Sequence, residues 1–207
     1  MRYAWNIVTG PVEEPISIAE IKAQARVTHD REDALLYSYI VAAREAAESY
    51  LSRGLLTQTW RMDLEYWPDV VSLPMAAPLQ NDALASPSTA VAVQYYNSTG
   101  VLTTLATTYY AVDTTSTPGQ VVRAPLQSWP TLQSDRSLSV VITYVVGWTA
   151  PDLVPETIKQ GIRLLAASMQ INRDTAVDMD AVTRAAQACW DRAGCLSHIP
   201  PDCYASR

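Results

Sequence analysis

The sequence predicts an α+β fold in which helices near both ends of the chain flank a small antiparallel β-domain. Apolar residues recur at three-to-four spacing near both ends, whereas Thr57–Trp148 is rich in Val, Thr and Tyr with a period near two. A chain of 207 residues is long enough for one sizeable core with an insert. We therefore expect a helical domain from residues 1–56 and 149–193, an inserted β-domain from residues 57–148, and a C-terminal tail at 194–207.

The first helix is predicted from a capping box. The Ser17 hydroxyl can accept from the backbone of Glu20 while the Glu20 carboxylate reaches back to Ser17. Ile16 and Ile21 occupy the hydrophobic-staple positions on either side of this cap. The pattern predicts a helix that runs to about Val27.

A second, longer helix is predicted from Asp33 to Arg53, after a break and a new cap at Thr28–Asp30, and Gly54 is expected to end it. Its apolar stripe consists of Leu36, Ile40, Ala43, Ala47 and Tyr50. Gln58 and the residues after it then alternate as in a strand.

Six strands are predicted in the middle of the chain: Thr57–Glu65, Ala90–Asn97, Val101–Leu105, Tyr109–Val112, Gln120–Val122 and Leu138–Val146. Asn97–Gly100 and Thr117–Gly119 are expected to form tight turns. Three prolines in residues 74–90 indicate an exposed connection.

Two further helices are predicted after the β-domain. Pro155 stands at a first-turn position, and Asn172 is expected to close this third helix. One face of it carries Ile158, Ile162, Leu165 and Met169. A last helix is expected from Asp180 to Ala193.

Charge and hydropathy exclude some functions. The net charge is -6, and each third of the chain is acidic, so the Lys and Arg clusters of a DNA-gripping protein are missing. Apolar runs such as Val140–Val146 are far shorter than the roughly 20 residues of a membrane helix. Met1–Asn6 does not resemble a secretion signal, so we expect synthesis in the cytoplasm.

Candidate catalytic groups are few. His29 and His198 are the only histidines, and neither belongs to a nucleophile–base pattern. A Gly-rich phosphate loop is also missing from the sequence. We expect no enzyme activity and no cofactor, and a hydrolase would require a perturbed carboxylate that the sequence does not reveal.

One set of residues has the types that bind zinc: Cys189, Cys195, His198 and Cys203. The cysteines are separated by five and by seven residues, whereas structural zinc usually draws on close pairs. Three free thiols are the simpler interpretation, and a Cys₃His site is the alternative.

Aromatic residues raise a second functional hypothesis. The set comprises Trp60, Trp67, Tyr95, Tyr96, Tyr109, Tyr110, Trp129, Tyr144 and Trp148. Exposed members could bind a sugar or a peptide, which makes a non-enzymatic ligand-binding β-domain the alternative function. Because the chain has no Phe, most of the set is better assigned to the core and to a subunit interface.

Several segments together resemble the head-tail connector (adaptor) proteins of tailed phages, a family also found in prophages and gene transfer agents. The residues in the first half are Glu14–Lys22, Arg26–Val27, His29–Asp30, Asp33–Leu36, Ala42–Arg44, Tyr50–Leu51 and Arg53–Trp60. Those further on are Pro78–Gln80, Tyr95–Tyr96, Gly100, Tyr109, Val112–Asp113, Pro118–Gly119, Trp129–Pro130, Tyr144, Gly147, Val154–Gln160 and Asn172–Arg173. The resemblance spans about residues 11–176, and the helix-to-strand junction Arg53–Trp60 is its most specific part. Ala25, Ser38 and Asn81–Leu84 depart mildly from the family pattern.

The resemblance implies a structural subunit at the head-tail interface of a virion, made in the cytoplasm of the bacterial host. Copies would form a ring, with twelve as the expected number, beneath the portal protein. The ring would extend the DNA channel and provide the platform for a stopper or tail-completion protein. DNA would pass without specific binding, and an acidic subunit suits such a conduit.

In a ring, charged helix faces would meet a neighbouring subunit. The candidates are Arg44, Glu45, Glu48, Lys159, Arg163, Trp190 and Arg192. The i to i+3 or i+4 spacing by itself indicates an exposed helix face. We hypothesise that the second and third helices present complementary charges across subunits, and that the C-terminal segment docks into the portal.

Overall fold

The computed structural model describes residues 2–75, 91–113, 116, 118–172 and 179–194 of the chain. The chain divides into two compact units, each built from two segments. A β-unit contains Met1–Pro11 and Thr57–Thr149, and a helical unit contains Val12–Leu56 and Ala150–Arg207. The fold class is therefore α+β, as predicted.

The β-unit contains two antiparallel sheets. The larger has the order β1-β2-β8-β4-β5, formed by β1 (Tyr3–Thr9), β2 (Gln58–Leu64), β8 (Val140–Val146), β4 (Val91–Tyr96) and β5 (Leu102–Thr104). The smaller has the order β3-β7-β6, formed by β3 (Val70–Ser72), β7 (Gln120–Arg123) and β6 (Tyr110–Asp113).

One face of the larger sheet forms the core of the β-unit. Along β2, Trp60, Met62 and Leu64 are buried and alternate with half-buried Arg61 and Asp63. Buried residues of the smaller sheet join the same cluster. The alternation explains the core, because successive side chains of a strand point to opposite faces.

The helical unit contains α1 (Ile18–Ala25), α2 (Asp33–Leu51), α3 (Glu156–Ile171) and α4 (Met179–Gly194). The centre of this unit is α3, which packs against each of the other three helices. The predicted apolar stripes are buried at Leu36, Ile40, Ala43, Ala47, Ile158, Ile162 and Leu165, whereas Tyr50 is 42% exposed. The described helices include none that is both long and apolar enough to span a bilayer.

The start of α1 confirms the predicted capping box. The backbone N–H of Glu20 donates to Ser17 Oγ at 3.2 Å, and the N–H of Ser17 donates to Glu20 Oε2 at 2.7 Å. Ile16 and Ile21, at the staple positions, are both buried. The local sequence therefore determines where this helix begins.

The predicted end and cap of α2 were wrong in detail. Its C-cap is Ser52 in the left-handed conformation, two residues before Gly54. Its N-cap is Glu32, which makes no side-chain cap bond, and the carboxylate of Asp30 binds the Lys22 ammonium. An ion pair with α1 thus replaces the expected cap.

Two strands were not predicted. Residues 1–56 were expected to be helical, but β1 within them pairs with β2 and lies in the β-unit. The second is β3, which is only three residues long. In β1, Tyr3, Trp5 and Ile7 have the spacing of two that is typical of a strand, whereas β3 is too short to show a period; each pairs with a partner strand, β2 or β7.

The six predicted strands correspond to β2, β4, β5, β6, β7 and β8. The turn at Asn97–Gly100 closes through a bond from the N–H of Gly100, at φ 80°, to the carbonyl of Asn97. Thr117, most of the predicted 74–90 connection, and the tail beyond Gly194 lie outside the described residues.

Candidate functional site

The helical unit contains a buried ionic group near the end of α2. Arg44 Nε donates to Glu14 Oε2 at 2.9 Å, and Arg44 Nη1 donates to Glu48 Oε2 at 2.6 Å. The three side chains are 6–7% exposed. We call Glu14, Arg44 and Glu48 the Glu48 cluster.

Glu48 also holds the chain as it leaves α2. Its Oε1 accepts the backbone N–H of Leu55 at 2.8 Å, and its carbonyl accepts the N–H groups of Ser52 and Arg53. Leu55 and Leu56 follow directly and are buried. One residue therefore terminates the helix and positions the junction that carries the family resemblance.

Burial and charge oppose each other inside the Glu48 cluster. Burial raises the pKa of Glu14 above its ordinary value, although Arg44 acts in the opposite direction. Burial would lower the pKa of Arg44, but the Glu48 and Glu14 carboxylates outweigh it and raise that pKa. Arg44 therefore remains a buried cation with two buried carboxylate partners, and the exposed Glu45 carboxylate lies 3.6 Å from its Nη2.

A second ionic group connects α1 to α3. Arg163 Nη1 donates to Glu20 Oε1 at 2.8 Å, and the same guanidinium binds Glu156. Lys159 Nζ lies 3.0 Å from Glu156 Oε2. Glu20 is also the N3 residue of the capping box. Its carboxylate therefore both caps the start of α1 and binds α3.

The structure places the predicted interface residues in different environments. Arg44 and Glu48 do not lie on an exposed face, because they pair with Glu14 inside the chain. Lys159 and Arg163 are 14% and 15% exposed and bind carboxylates of the same chain. Glu45, at 66%, is exposed, whereas the side chain of Arg192 lies outside the described residues.

Trp190, another predicted interface residue, is 1% exposed and belongs to the core of the helical unit. Its indole N–H donates to the carbonyl of Ile158 at 3.3 Å. Gly161 makes room for it: a Cβ at that position would lie 2.2 Å from Trp190 Nε1. The α3–α4 contact therefore depends on a glycine and a tryptophan that pack directly together.

Of the residues considered for zinc binding and catalysis, the structure describes Cys189 and His29. Cys189 lies on α4 as a half-buried free thiol, whereas Cys195, His198 and Cys203 fall outside the described residues. His29 is exposed. Within the described ranges, no group of three or more His, Cys, Asp or Glu side chains could hold a metal ion.

Two aromatic residues form a reciprocal clasp. The rings of Trp67 and Trp129 stack with centroids 4.5 Å apart. Trp67 Nε1 donates to the carbonyl of Pro130 at 3.0 Å, and Trp129 Nε1 donates to that of Pro68 at 3.1 Å. Because the two rings stack on each other and both indole N–H groups donate to backbone carbonyls, we assign the pair a structural role and not that of a sugar-binding surface.

Three other members of the predicted aromatic set belong to the core. Trp60, Tyr110 and Tyr144 are buried, and the two tyrosine hydroxyls donate to backbone carbonyls of Val91 and Pro74. The interpretation as core residues is thus confirmed for these three. Sequence reasoning missed exposed aromatic residues in β1, whose spacing of two was the available signal.

Comparison with protein families and solved structures gives a consistent result. Residues 15–115 match the family described as phage gp6-like head-tail connector protein. Among curated proteins, no match to this chain is found.

Three similar structures come from gene transfer agent particles. A chain in a virion of a native particle is 24% identical with TM-score 0.67, covering 91% of this chain and 93% of the other. A chain in the neck of an empty particle, computed with C6 symmetry, is 23% identical with TM-score 0.65, covering 88% and 94%. A chain in the neck of a native particle, computed with C12 symmetry, is 24% identical with TM-score 0.61, covering 90% and 94%. At these identities the likeness establishes a shared fold.

Proposed function

Residues 15–115 of this chain belong to the phage gp6-like head-tail connector family, and from that premise we propose that the chain is a neck subunit of a phage or phage-like particle. Copies form a ring beneath the portal protein, extend the DNA channel and provide the platform for the next tail component. The ring is expected to contain twelve copies. The family is one of structural connectors, and the proposed role requires no catalytic chemistry.

The observation that supports the proposal most directly is the position of the Glu48 cluster. Two of its members, Arg44 and Glu48, lie inside the family-matched segment, and Glu48 binds the backbone N–H of Leu55 where the chain leaves α2. A connector must keep its shape while DNA and neighbouring proteins act on it. A buried, hydrogen-bonded ion-pair cluster at the end of α2 suits that requirement.

The pairing of the basic residues supports passage of DNA without tight binding. In the helical unit, Lys22, Arg44, Lys159 and Arg163 each bind at least one carboxylate of the same chain. Such cations are less available to phosphates, whose neutralisation drives nonspecific binding to DNA. Together with the net charge of -6, this favours a channel wall that does not bind DNA tightly.

Among the predicted interface residues, Glu45 is the described side chain best placed to meet a neighbouring protein, since it is 66% exposed. We propose that it contributes to a contact with an adjacent subunit or the portal. Arg163 acts mainly within its own subunit, because both of its partners lie in the same chain.

The test is the presence and position of the chain in particles. Cells that carry the particle genes but lack this gene should accumulate DNA-filled heads without tails, and expression of the wild-type chain should restore tailed particles. Cryo-electron microscopy should then place a ring of this chain next to the portal. Normal tailed particles in its absence would refute the proposed function.

A further inference from the structure

The first strand of the β-unit lies at an edge of the larger sheet. Among the described strands, β1 pairs only with β2, and all seven of its residues are exposed. Its sequence, Tyr-Ala-Trp-Asn-Ile-Val-Thr, contains no charged residue and no proline. Proteins usually protect edge strands with such residues, so a long uncharged edge is a surface for strand pairing.

The side chains of Tyr3, Trp5 and Ile7 continue the core face of the sheet. Their cross-strand partners are Leu64, Met62 and Trp60, which are buried. Residues directly opposite in an antiparallel pair share a face. Yet Tyr3, Trp5 and Ile7 are 51%, 45% and 47% exposed. The apolar face of the sheet is therefore left uncovered at β1 by the described residues.

The backbone of the same three residues faces the open edge. The N–H of Glu65 donates to the carbonyl of Arg2, which makes Arg2 and Glu65 a hydrogen-bonded pair. Such pairs alternate with non-hydrogen-bonded ones along an antiparallel ladder. The N–H and C=O groups of Tyr3, Trp5 and Ile7 therefore point away from β2.

The opposite edge of the sheet, β5, has related properties. Two backbone bonds identify the hydrogen-bonded pairs of β5 with β4. The N–H of Asn97 donates to the carbonyl of Val101, and the N–H of Leu105 donates to the carbonyl of Val93. By the same alternation, the backbone groups of Leu102 and Thr104 face outward. Val101 and Leu102 are 57% and 43% exposed, and residues 101–104 are uncharged.

We propose that β1 of one copy pairs with β5 of the neighbouring copy and joins the five-stranded sheets head to tail. This inference rests on the proposed ring, because two different free edges on one chain form the heterologous contact that a ring requires. Copies with a net charge of -6 repel one another, and a contact between two uncharged edges adds no further repulsion. Main-chain bonds would supply affinity, and the Tyr3–Trp5–Ile7 row would supply an apolar surface.

The test is sedimentation velocity of the purified full-length chain at rising concentration, with charges placed on each edge. Tyr3→Lys puts a charge in the apolar row, and Leu102→Lys puts one on β5. Ala4→Lys is the matched control, since Ala4 lies opposite Asp63 on the other face of β1. Circular dichroism and thermal unfolding establish that each variant is folded.

Wild type and Ala4→Lys should form species larger than the monomer, whereas Tyr3→Lys and Leu102→Lys alone should each stay monomeric. An equimolar mixture of the last two should stop at dimers, because one junction is intact between them. A monomeric wild type, dimers of Leu102→Lys alone, or unchanged association of folded Tyr3→Lys would each overturn the inference.

The outcomes separate this contact from the proposed function. If particles hold the chain in the neck but folded Tyr3→Lys assembles into them as wild type does, the strand contact is wrong and the connector role stands. If the edge variants behave as expected in solution but the chain is absent from particles, the connector role is wrong.

Discussion

At the scale of single residues, Glu48 combines three tasks. Its carboxylate neutralises Arg44 and accepts the N–H of Leu55, while its carbonyl caps the end of α2. Glu45 lies about one turn earlier on α2, and its side chain is 66% exposed, whereas that of Glu48 is 6% exposed. The spacing of Arg44, Glu45 and Glu48 indicates a charged helix face but does not show which carboxylate is buried.

Replacing Glu48 with Ala should therefore destabilise the protein by about 3–5 kcal/mol, because Arg44 would lose a buried partner and the N–H of Leu55 its acceptor. Glu45→Ala is the matched control and should change the free energy of unfolding by no more than about 0.5 kcal/mol. Urea unfolding followed by circular dichroism measures both. Equal losses in the two variants would contradict the assignment of Glu48 as the junction residue.

Gly161→Ala should also destabilise the protein, by about 1–2 kcal/mol, although alanine is the better helix former. The added Cβ would clash with the buried Trp190 ring, and overpacking outweighs the gain in helix propensity. Gly10→Ala is the control, because a Cβ there meets nothing within 4 Å. In a Trp190→Leu background the penalty at Gly161 should shrink, and a stabilised Gly161→Ala would refute the packing argument.

At the scale of elements, contacts distant in sequence hold the pieces together. Arg163 of α3 reaches Glu20 of α1 across 143 positions. Trp67 and Trp129, which flank the smaller sheet in sequence, hold their two loops together through stacking and reciprocal hydrogen bonds. These links act between elements whose boundaries local sequence already determines.

The link between α1 and α3 should make the free energy of unfolding depend on pH in the acidic range. Partial burial opposes ionisation of Glu20, but hydrogen bonds from Ser17 and the charge of Arg163 lower its pKa below 4.5. Bonds from Arg163 and Lys159 likewise lower the pKa of Glu156. Because the unfolded state binds more protons in this window, the contribution is complete above pH 4.5 and is lost as pH falls through the folded pKa values.

Urea unfolding at a series of pH values should show this loss in the wild type, and Glu20→Gln combined with Glu156→Gln should reduce the slope. Glu14 contributes with the opposite sign. Burial raises its pKa above 4.5, so stability should fall as pH rises through the window above that value, and Glu14→Gln should remove this component. An unchanged slope in the double variant would argue against the α1–α3 link.

The tryptophan clasp should show energetic coupling. Trp67→Phe and Trp129→Phe each remove one indole N–H bond and disturb the same stacked pair, so the double variant should lose less than the sum of the singles. The expected coupling is about 0.5–3 kcal/mol in a double-mutant cycle of unfolding free energies. Additive losses would indicate that the two rings act independently.

At the scale of the whole molecule, net charge and ion pairing act together. The chain carries -6, and the basic residues named in its helical unit are paired with carboxylates. The proposed channel requires a wall without tight phosphate sites, since each such site would retard the DNA.

The full chain should therefore bind duplex DNA more weakly than a typical nonspecific binder, with a Kd above about 10⁻⁴ M at physiological salt. Fluorescence anisotropy with a labelled duplex measures this. Glu13→Lys combined with Glu45→Lys is a positive control that should tighten binding and increase its salt dependence. If the wild type binds the duplex in a salt-sensitive way with a Kd lower than about 10⁻⁴ M, the conduit interpretation is contradicted.

Much of the local structure was predictable from the sequence. The capping box at Ser17, the apolar stripes of α2 and α3 and the alternation of β2 depend on residues close in sequence, and the structure confirms them except at Tyr50, which is exposed. The position of β1 was not predictable in this way, because the spacing of Tyr3, Trp5 and Ile7 is that of a strand but does not show which strand it pairs with. The burial of Arg44 and Trp190 was missed because spacing identifies a helix face but not what covers it.

By itself, then, the sequence determined the α+β class, the helix starts, most strands, the acidic charge and the resemblance to head-tail connectors. Tertiary structure alone decided that Glu14 joins Arg44 and Glu48, that Trp190 packs on Gly161, and that the core face of the sheet reaches an open edge at Tyr3, Trp5 and Ile7. The physical reason is range. Capping, periodicity and composition act over a few residues, whereas burial, ion pairing and edge exposure depend on which distant segments meet.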